Sequence, residues 1–204
     1  AITDKDEIEE KDEILKKISS DTLGEKEEIK LKIENGIIDK DEVMAKDEYR
    51  LYDVGELLPD FEYKIYGSDT SFKASDHRDN VLVINFWATW CTPCIGELPY
   101  LQQINDNYSN VDVVCFHSTD ITDDVENFIN TNLSAYTMPF AQDSLDNDAK
   151  LDLYKILGGT SYMPYTVVIN KDGTIESKHV KAMTSVDDYL EFNTYIGERT
   201  ADKG

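Results

Sequence analysis

The chain has 204 residues, of which 42 are Asp or Glu and 20 are Lys or Arg, so its net charge at pH 7 is −22. This acidity argues against binding to nucleic acid or to an anionic membrane, because both require clustered Lys and Arg. The length fits one domain with an extension or two small domains, no apolar run is long enough to span a membrane, and three cysteines are too few for a disulfide-stapled scaffold.

The first 50 residues differ in composition from the rest of the chain. They contain 17 acidic and 10 basic residues, no Pro and no Cys, and no signal peptide is recognisable among them. Their apolar residues recur at a loosely helical spacing, which predicts two or three short amphipathic helices, although the charge density also fits a mobile tether. We therefore divide the chain into a charged, helical extension or tether over residues 1–54 and a globular domain over residues 55–204.

The globular part begins with a predicted β-hairpin. Alternating apolar and polar residues predict a strand over Phe61–Tyr66, and a turn signal separates it from a short partner strand near residues 71–73. Val81–Trp87 is a near-continuous apolar run, as expected for a strand that is covered on both faces. A helix follows over about Cys94–Tyr108, and Pro99 inside it should produce a kink.

Strand and helix signals alternate through the rest of the chain. The pattern predicts a mixed α/β fold, with a central sheet flanked by helices, an N-terminal hairpin and an inserted helix. The predicted elements are a strand over Val111–His117, a helix from Thr122, a helix over Leu145–Leu157, a strand over Tyr162–Ile169, a turn at 170–173, a returning strand over Thr174–Val180, and a last helix over Ser185–Ile196 with Val186, Tyr189 and Leu190 facing inward.

The segment Trp90-Cys91-Thr92-Pro93-Cys94 lies at the junction of the Val81–Trp87 strand with the helix. A sulfur at a helix N-terminus is favoured as the thiolate, and a second cysteine three residues later is within reach of a disulfide. A thiolate of this kind attacks a substrate disulfide, and its neighbour resolves the mixed disulfide. Half of a zinc site is the competing interpretation, but the sequence supplies neither a second CxxC nor clustered His ligands.

Residues next to these two cysteines add further expectations. Trp90 is expected at the surface beside the sulfurs, where it offers an apolar contact to substrates. Thr92 and Pro93 supply no cation, so the sequence favours a reductant over an oxidant. Cys115 lies inside an apolar strand and is interpreted as a small buried residue, with a resolving or regulatory thiol as the alternative.

Taken together, the residues Phe86–Cys94, the downstream Pro99 and the pair Met163-Pro164 resemble the thioredoxin superfamily. Its TlpA/ResA-type branch, which carries a domain of the AhpC/TSA–Redoxin type, is similar in four details. These are Asn85 in place of a buried acid, Glu97 after the CxxC, a hairpin that opens with Leu58–Phe61, and an insertion over about residues 122–157. The resemblance covers roughly residues 55–197 and implies a thioredoxin fold.

The resemblance also implies roles for individual residues. Cys91 is expected to attack, Cys94 to resolve, and Glu97 to take part in the proton chemistry, although an exposed helical glutamate is the alternative for Glu97. Pro164 is expected to be a cis-proline, which would leave the backbone of Met163 free to pair with an extended substrate. Substrate binding is thus assigned to Trp90, Thr92, Pro93, Met163 and Pro164, with no metal and no cofactor other than a redox-active Cys91–Cys94 disulfide.

The leading functional hypothesis is a bacterial protein-disulfide reductase that works outside the cytoplasm. The resemblance implies disulfide-containing exported proteins as substrates and a membrane thiol donor of the CcdA/DsbD type. It also implies a cell-surface location, as in a lipoprotein, or anchoring by a segment upstream of residue 1. The alternatives are a disulfide oxidase or isomerase, a thiol peroxidase, and an interaction module that uses the N-terminal helical arm.

Overall fold

The computed structural model describes residues 51–69, 71–118, 124–143, 153–160 and 162–201. The helices or tether predicted within residues 1–50 lie outside these ranges, so the division of the chain into 1–54 and 55–204 stays a prediction. None of the helices in the described ranges is both long enough and apolar enough to cross a membrane.

The described residues form seven strands and four α-helices, with one turn of 3₁₀-helix at Ala74–His77. The strands are β1 (Glu62–Lys64), β2 (Ser71–Lys73), β3 (Val81–Trp87), β4 (Val111–His117), β5 (Phe140–Gln142), β6 (Tyr165–Ile169) and β7 (Ile175–His179). The helices are α1 (Thr92–Asn107), α2 (Val125–Asn132), α3 (Leu153–Ile156) and α4 (Val186–Thr200).

Five strands form the central sheet in the order β5-β4-β3-β6-β7, while β1 and β2 form a separate antiparallel hairpin. Strands β3, β4 and β5 are parallel, and β6 and β7 run antiparallel to them. This confirms the predicted mixed sheet. Every residue of β3 is buried, as its near-continuous apolar run predicts for a central strand.

Apolar side chains pack on both faces of the sheet, and alternate residues of β3 contribute to each. Val83 and Trp87 belong to the cluster that contains both cysteines of the CxxC segment and residues of α1 and α4. Ile84 and Phe86 belong to the other cluster, which includes residues of the N-terminal hairpin and α3. The face that carries Val83 is therefore the face on which the cysteines lie.

One line of directly paired residues crosses four strands on the cysteine face. Asn85 on β3 pairs with Cys115 on β4 and with Thr166 on β6, and Thr166 pairs in turn with His179 on β7. Side chains of directly opposed residues point to the same face of a sheet. We call these four residues the cross-sheet row; it connects the centre of the sheet to its edge at β7.

Several predicted elements differ from the structure by a few residues in their bounds, and three of them show why. The predicted strand Phe61–Tyr66 is limited to β1, because the chain then turns away to bridge β5 through Ile65 and Ala141. The helix predicted from Thr122 begins at Val125, where the Asp124 side chain caps it, and residues 122 and 123 lie outside the described ranges. The helix predicted over 145–157 is described only at α3, since residues 144–152 lie outside them.

The predicted inward face of the last helix is partly wrong. Tyr189 is buried, but Val186 and Leu190 are 59% and 51% exposed. The ring of Tyr189 stacks on Tyr100 of α1 with a centroid separation of 5.4 Å, and its hydroxyl accepts a hydrogen bond from Asn107. These contacts fix the rotation of α4 so that Tyr189 faces α1 and the two aliphatic side chains point to solvent.

Candidate active site

The two cysteines of the CxxC segment lie at the N-terminus of α1 and form a disulfide. Cys91 is the N-cap residue, and its Sγ accepts a hydrogen bond from the backbone N–H of Cys94 at 3.3 Å. Cys91 is 4% exposed to solvent, and Cys94 is fully buried. After reduction, the same N–H and the helix dipole would stabilise a Cys91 thiolate, whereas Cys94 is too deeply buried to meet a large substrate.

Glu97 lies one helical turn after Cys94 and is 1% exposed, so the alternative of an exposed helical glutamate is wrong. Its Oε1 accepts from Asn85 Nδ2 at 2.7 Å, and its Oε2 accepts from the backbone N–H of Met183 at 3.0 Å. Burial raises the pKa of Glu97 to about 7, and these two hydrogen bonds only partly oppose the effect. Residues three apart on a helix share a face, so the carboxyl group lies on the side of Cys94.

Asn85 is fully buried in the middle of β3 and holds Glu97 in place. Its Nδ2 donates to Glu97 and also to Thr166 Oγ1, at 3.0 Å. Its carbonyl Oδ1 has no hydrogen-bond partner among the described residues. The amide is therefore oriented toward an ionised Glu97, at the cost of one unsatisfied acceptor.

The residues assigned to substrate binding lie around this end of the sheet. The Met163–Pro164 peptide bond is cis, as the resemblance implies. Because Tyr165 pairs with Phe86, Pro164 lies beside the end of β3 that leads into the CxxC segment. Met163 packs against the cluster that contains both cysteines.

Three further assigned residues are exposed next to Cys91. Thr92 and Pro93 form the exposed first turn of α1, and Trp90, immediately before Cys91, is 65% exposed. An exposed indole beside a nearly covered sulfur forms an apolar surface from which a partner chain can approach.

The third cysteine does not belong to this site. Cys115 is fully buried, and its thiol lies 3.8 Å from the sulfur of Met138. Burial, with a smaller contribution from the charge of Glu97, raises the pKa of the Cys115 thiol. The thiol therefore stays protonated and unreactive, in agreement with its interpretation as a small buried residue.

The structure adds residues that the sequence did not predict. A cavity of about 230 Å³ lies beside Glu97 and is lined by Thr166, His179 and Met183, among others. Thr166 and His179 belong to the cross-sheet row, so correct pairing of β3, β6 and β7 would have placed them near Asn85. Their position near Asn85 follows only from the register of the paired strands, which the local sequence does not reveal.

The chain matches one family model and is similar to curated thiol-disulfide oxidoreductases. Residues 53–192 match the Redoxin family model. The thiol-disulfide oxidoreductase ResA of Oceanobacillus iheyensis is 32% identical over 117 residues, which are 56% of this chain and 57% of the relative. ResA of Geobacillus thermodenitrificans is 28% identical over 56% of this chain and 63% of its own length. The chain thus spans less than two thirds of each of these relatives.

The fold is shared with solved structures, of which two are representative. A thiol:disulfide interchange protein DsbE described as putative, from Chlorobium tepidum, superimposes with a TM-score of 0.59 at 23% identity and covers 74% of this chain and 99% of its own. The pneumococcal exposed lipoprotein thioredoxin Etrx1 of Streptococcus pneumoniae gives a TM-score of 0.53 at 22% identity and covers 67% and 99%. These likenesses confirm the thioredoxin fold that the sequence predicts.

Proposed function

Because the chain belongs to the Redoxin family of the thioredoxin superfamily, we propose that it is a thiol-disulfide oxidoreductase that reduces the disulfides of exported proteins. The observation that carries the proposal is the Cys91–Cys94 disulfide at the N-terminus of α1, with the buried Glu97 one turn behind it. A low-pKa thiolate, a resolving thiol and a proton acceptor are the three groups that this chemistry needs.

In the proposed reaction, the Cys91 thiolate attacks one sulfur of a substrate disulfide. A bond forms between Cys91 and that sulfur, and the other substrate sulfur leaves with the electron pair and takes a proton from solvent. Cys94 then attacks Cys91, the Cys91–Cys94 disulfide forms, and the second substrate sulfur leaves as a thiolate. Glu97 accepts the Cys94 proton, a role suited to a carboxyl group with a pKa of about 7.

The substrate is proposed to be an extended segment of another protein. Trp90, Thr92 and Pro93 offer an exposed surface next to Cys91, and Met163 and Pro164 border the end of β3 that leads into the CxxC segment. An extended segment beside Met163 would be held through its main chain, which does not depend on its sequence. This arrangement suits an enzyme that acts on several disulfide-containing proteins.

We further propose that electrons flow from a membrane thiol donor of the CcdA/DsbD type to the substrate, and that the protein works outside the cytoplasm. The resemblance to ResA-type proteins supports both statements, and a lipoprotein-like attachment belongs to the same proposal. The electrons are proposed to flow toward the substrate because Thr92 and Pro93 place no cation beside the Cys91 sulfur.

Reduction of insulin and trapping of partners test the proposal. The reduced protein should precipitate insulin catalytically, and Cys91→Ser should abolish this activity. Cys94→Ser should accumulate mixed disulfides on Cys91, identifiable by mass spectrometry of cell-envelope extracts. Equal trapping by Cys91→Ser would show that the nucleophile is wrongly assigned, and an inactive wild-type protein would refute the proposed activity.

A further inference from the structure

Among the residues that the structure describes, no hydrogen-bond partner of Glu97 is placed to accept a proton from it. Both of its hydrogen-bond partners, Asn85 Nδ2 and the backbone N–H of Met183, are donors. Rotation of the Asn85 amide would present its unpaired Oδ1 to the acid, but Asn85 is fully buried and leads no closer to solvent. A proton that arrives on Glu97 must therefore leave in another direction.

The cavity beside Glu97 provides that direction. Its volume of about 230 Å³ has room for several water molecules, because each occupies about 30 Å³ in the liquid. Thr166 and His179 line it, and they are directly paired on β6 and β7, so the polar part of the cross-sheet row continues from Asn85 to the sheet edge. The exposed side chain of Lys181 also lines the cavity, which therefore reaches the protein surface.

His179 is the lining group best able to exchange a proton near neutral pH. Its ring is half-buried, lies 2.8 Å from Ser177 Oγ through Nε2, and packs edge-on against two aromatic rings of α4. Burial, and then the charge of Arg199, lower the pKa of His179, so its imidazole is neutral and can accept a proton at pH 7.

The other titratable groups around Glu97 and His179 are less suited to this role. Lys181 and Asp188 form an ion pair at the surface side of the cavity. The Tyr195 hydroxyl donates to Ser177 Oγ. Cys115, on the sheet side, holds its proton firmly. The charged and titratable groups that face the two residues come from β4, from the segment after β7 and from α4; they are Cys115, Lys181, Asp188, Glu191, Tyr195 and Arg199.

We propose that His179 and this cavity form the path by which the proton on Glu97 exchanges with solvent. The place of this path in catalysis rests on the proposed function, since Cys94 supplies the proton when the mixed disulfide is resolved. The proton then passes from the Glu97 carboxyl group through water in the cavity to the His179 imidazole and into solvent, which restores the carboxylate and the neutral imidazole. The path is also present in the oxidised protein. There the two cysteines form a disulfide and do not titrate, so proton exchange at Glu97 can be measured without their contribution.

A proton-jump experiment on the oxidised protein tests this path directly. A flash-released proton is followed by time-resolved infrared detection of the protonated carboxyl band of Glu97, which is identified by its loss in Glu97→Gln. In His179→Gln we expect protonation of Glu97 to slow on the order of 10-fold, since a positioned relay typically accelerates proton transfer at least that much. The matched control is His77→Gln, because His77 binds Tyr63 and Asp112 and does not line the cavity.

Chemical rescue separates a relay from a structural role. Imidazole added to His179→Ala should restore the protonation rate toward that of the wild type in a concentration-dependent manner, and should leave the wild type unchanged. An unchanged rate in His179→Gln, or equal slowing in His77→Gln, would overturn the proposal. If His179→Ala does not fold, the rate in His179→Gln decides alone. Failure of insulin reduction by the wild-type protein would refute the proposed function without affecting this result.

Discussion

The side-chain amide of Asn85 donates a 2.7 Å hydrogen bond to the carboxyl group of Glu97, and both side chains are almost completely buried. This pair joins the central strand of the sheet to the helix that carries the two cysteines. A carboxyl group in such a place is held by polar contacts but is removed from water, so its protonation is coupled to the stability of the whole fold.

We predict that Glu97 makes the protein less stable as the pH rises. Burial raises the pKa of Glu97 from 4.5 to about 7, so between these values the folded state holds a proton that the unfolded state has released. The associated stability is fully present below about pH 4.5 and is lost as the pH rises through about 7, a change of about 3 kcal/mol.

Glu97→Gln removes this titration, so it tests whether Glu97 lowers the stability of the folded protein as the pH rises. The stability of the variant relative to wild type should increase by up to about 3 kcal/mol between about pH 5 and pH 8, because other titrating groups cancel in the difference. Urea denaturation of the oxidised proteins measures it. Parallel pH profiles of the two proteins would contradict the raised pKa.

We predict that Asn85→Asp makes the protein strongly pH-sensitive. The change replaces an amide donor by a second carboxyl group within hydrogen-bond distance of Glu97, and two carboxylates this close cannot both ionise without a large penalty. The variant should lose about 3–5 kcal/mol at about pH 8 and much less at about pH 5. Asn85→Ser is the control, since its loss of stability should not depend on pH in this way.

We predict that Trp90→Ala impairs activity on proteins and not on small disulfides. The indole is 65% exposed, so its removal should change the free energy of unfolding by no more than about 0.5 kcal/mol. If it contacts protein substrates, kcat/KM for insulin should fall on the order of 10-fold, while the rate with glutathione disulfide should hardly change. Leu190→Ala removes a similarly exposed apolar side chain from α4 and should leave both rates unchanged.

We predict a reducing potential for the Cys91–Cys94 couple. Without a cation in the loop between the sulfurs, the potential should lie nearer the thioredoxin value of about −270 mV than the value of about −180 mV typical of disulfide isomerases. Pro93→His places a cation beside the Cys91 thiolate and should raise the potential, whereas Thr92→Ser should not. Equilibration with glutathione buffers measures all three, and a wild-type value of about −180 mV or higher would favour the oxidase or isomerase alternative.

The central strands and the CxxC segment could be predicted from the sequence because their signals are local. Val81–Trp87 and Val111–His117 are predominantly apolar runs, and the structure gives both strands the same bounds. Two contacts around Glu97 could not be found this way, that of Thr166 with Asn85 and that of Met183 with Glu97. Thr166 lies 81 residues from Asn85, and Met183 lies 86 residues from Glu97, so only the folded sheet brings them together.

The orientation of α4 shows the same limit in another form. Val186 and Leu190 have the spacing of an inward apolar stripe, and a helical pattern read alone places them in the core. The stack of Tyr189 on Tyr100 settles the rotation instead, and that contact depends on how two helices pack across the sheet face. Periodicity predicts that a helix has a buried side, but neighbouring elements decide which side it is.

The hydrogen bond from Met183 to Glu97 comes from the main chain. Among the twenty amino acids only proline lacks a backbone N–H. Any other substitution at residue 183 therefore retains the donor of one of the two hydrogen bonds to the Glu97 carboxylate. The other hydrogen bond depends on one side chain, that of Asn85. Random mutation can therefore remove the hydrogen bond between Glu97 and β3 far more easily than the one between Glu97 and the segment after β7.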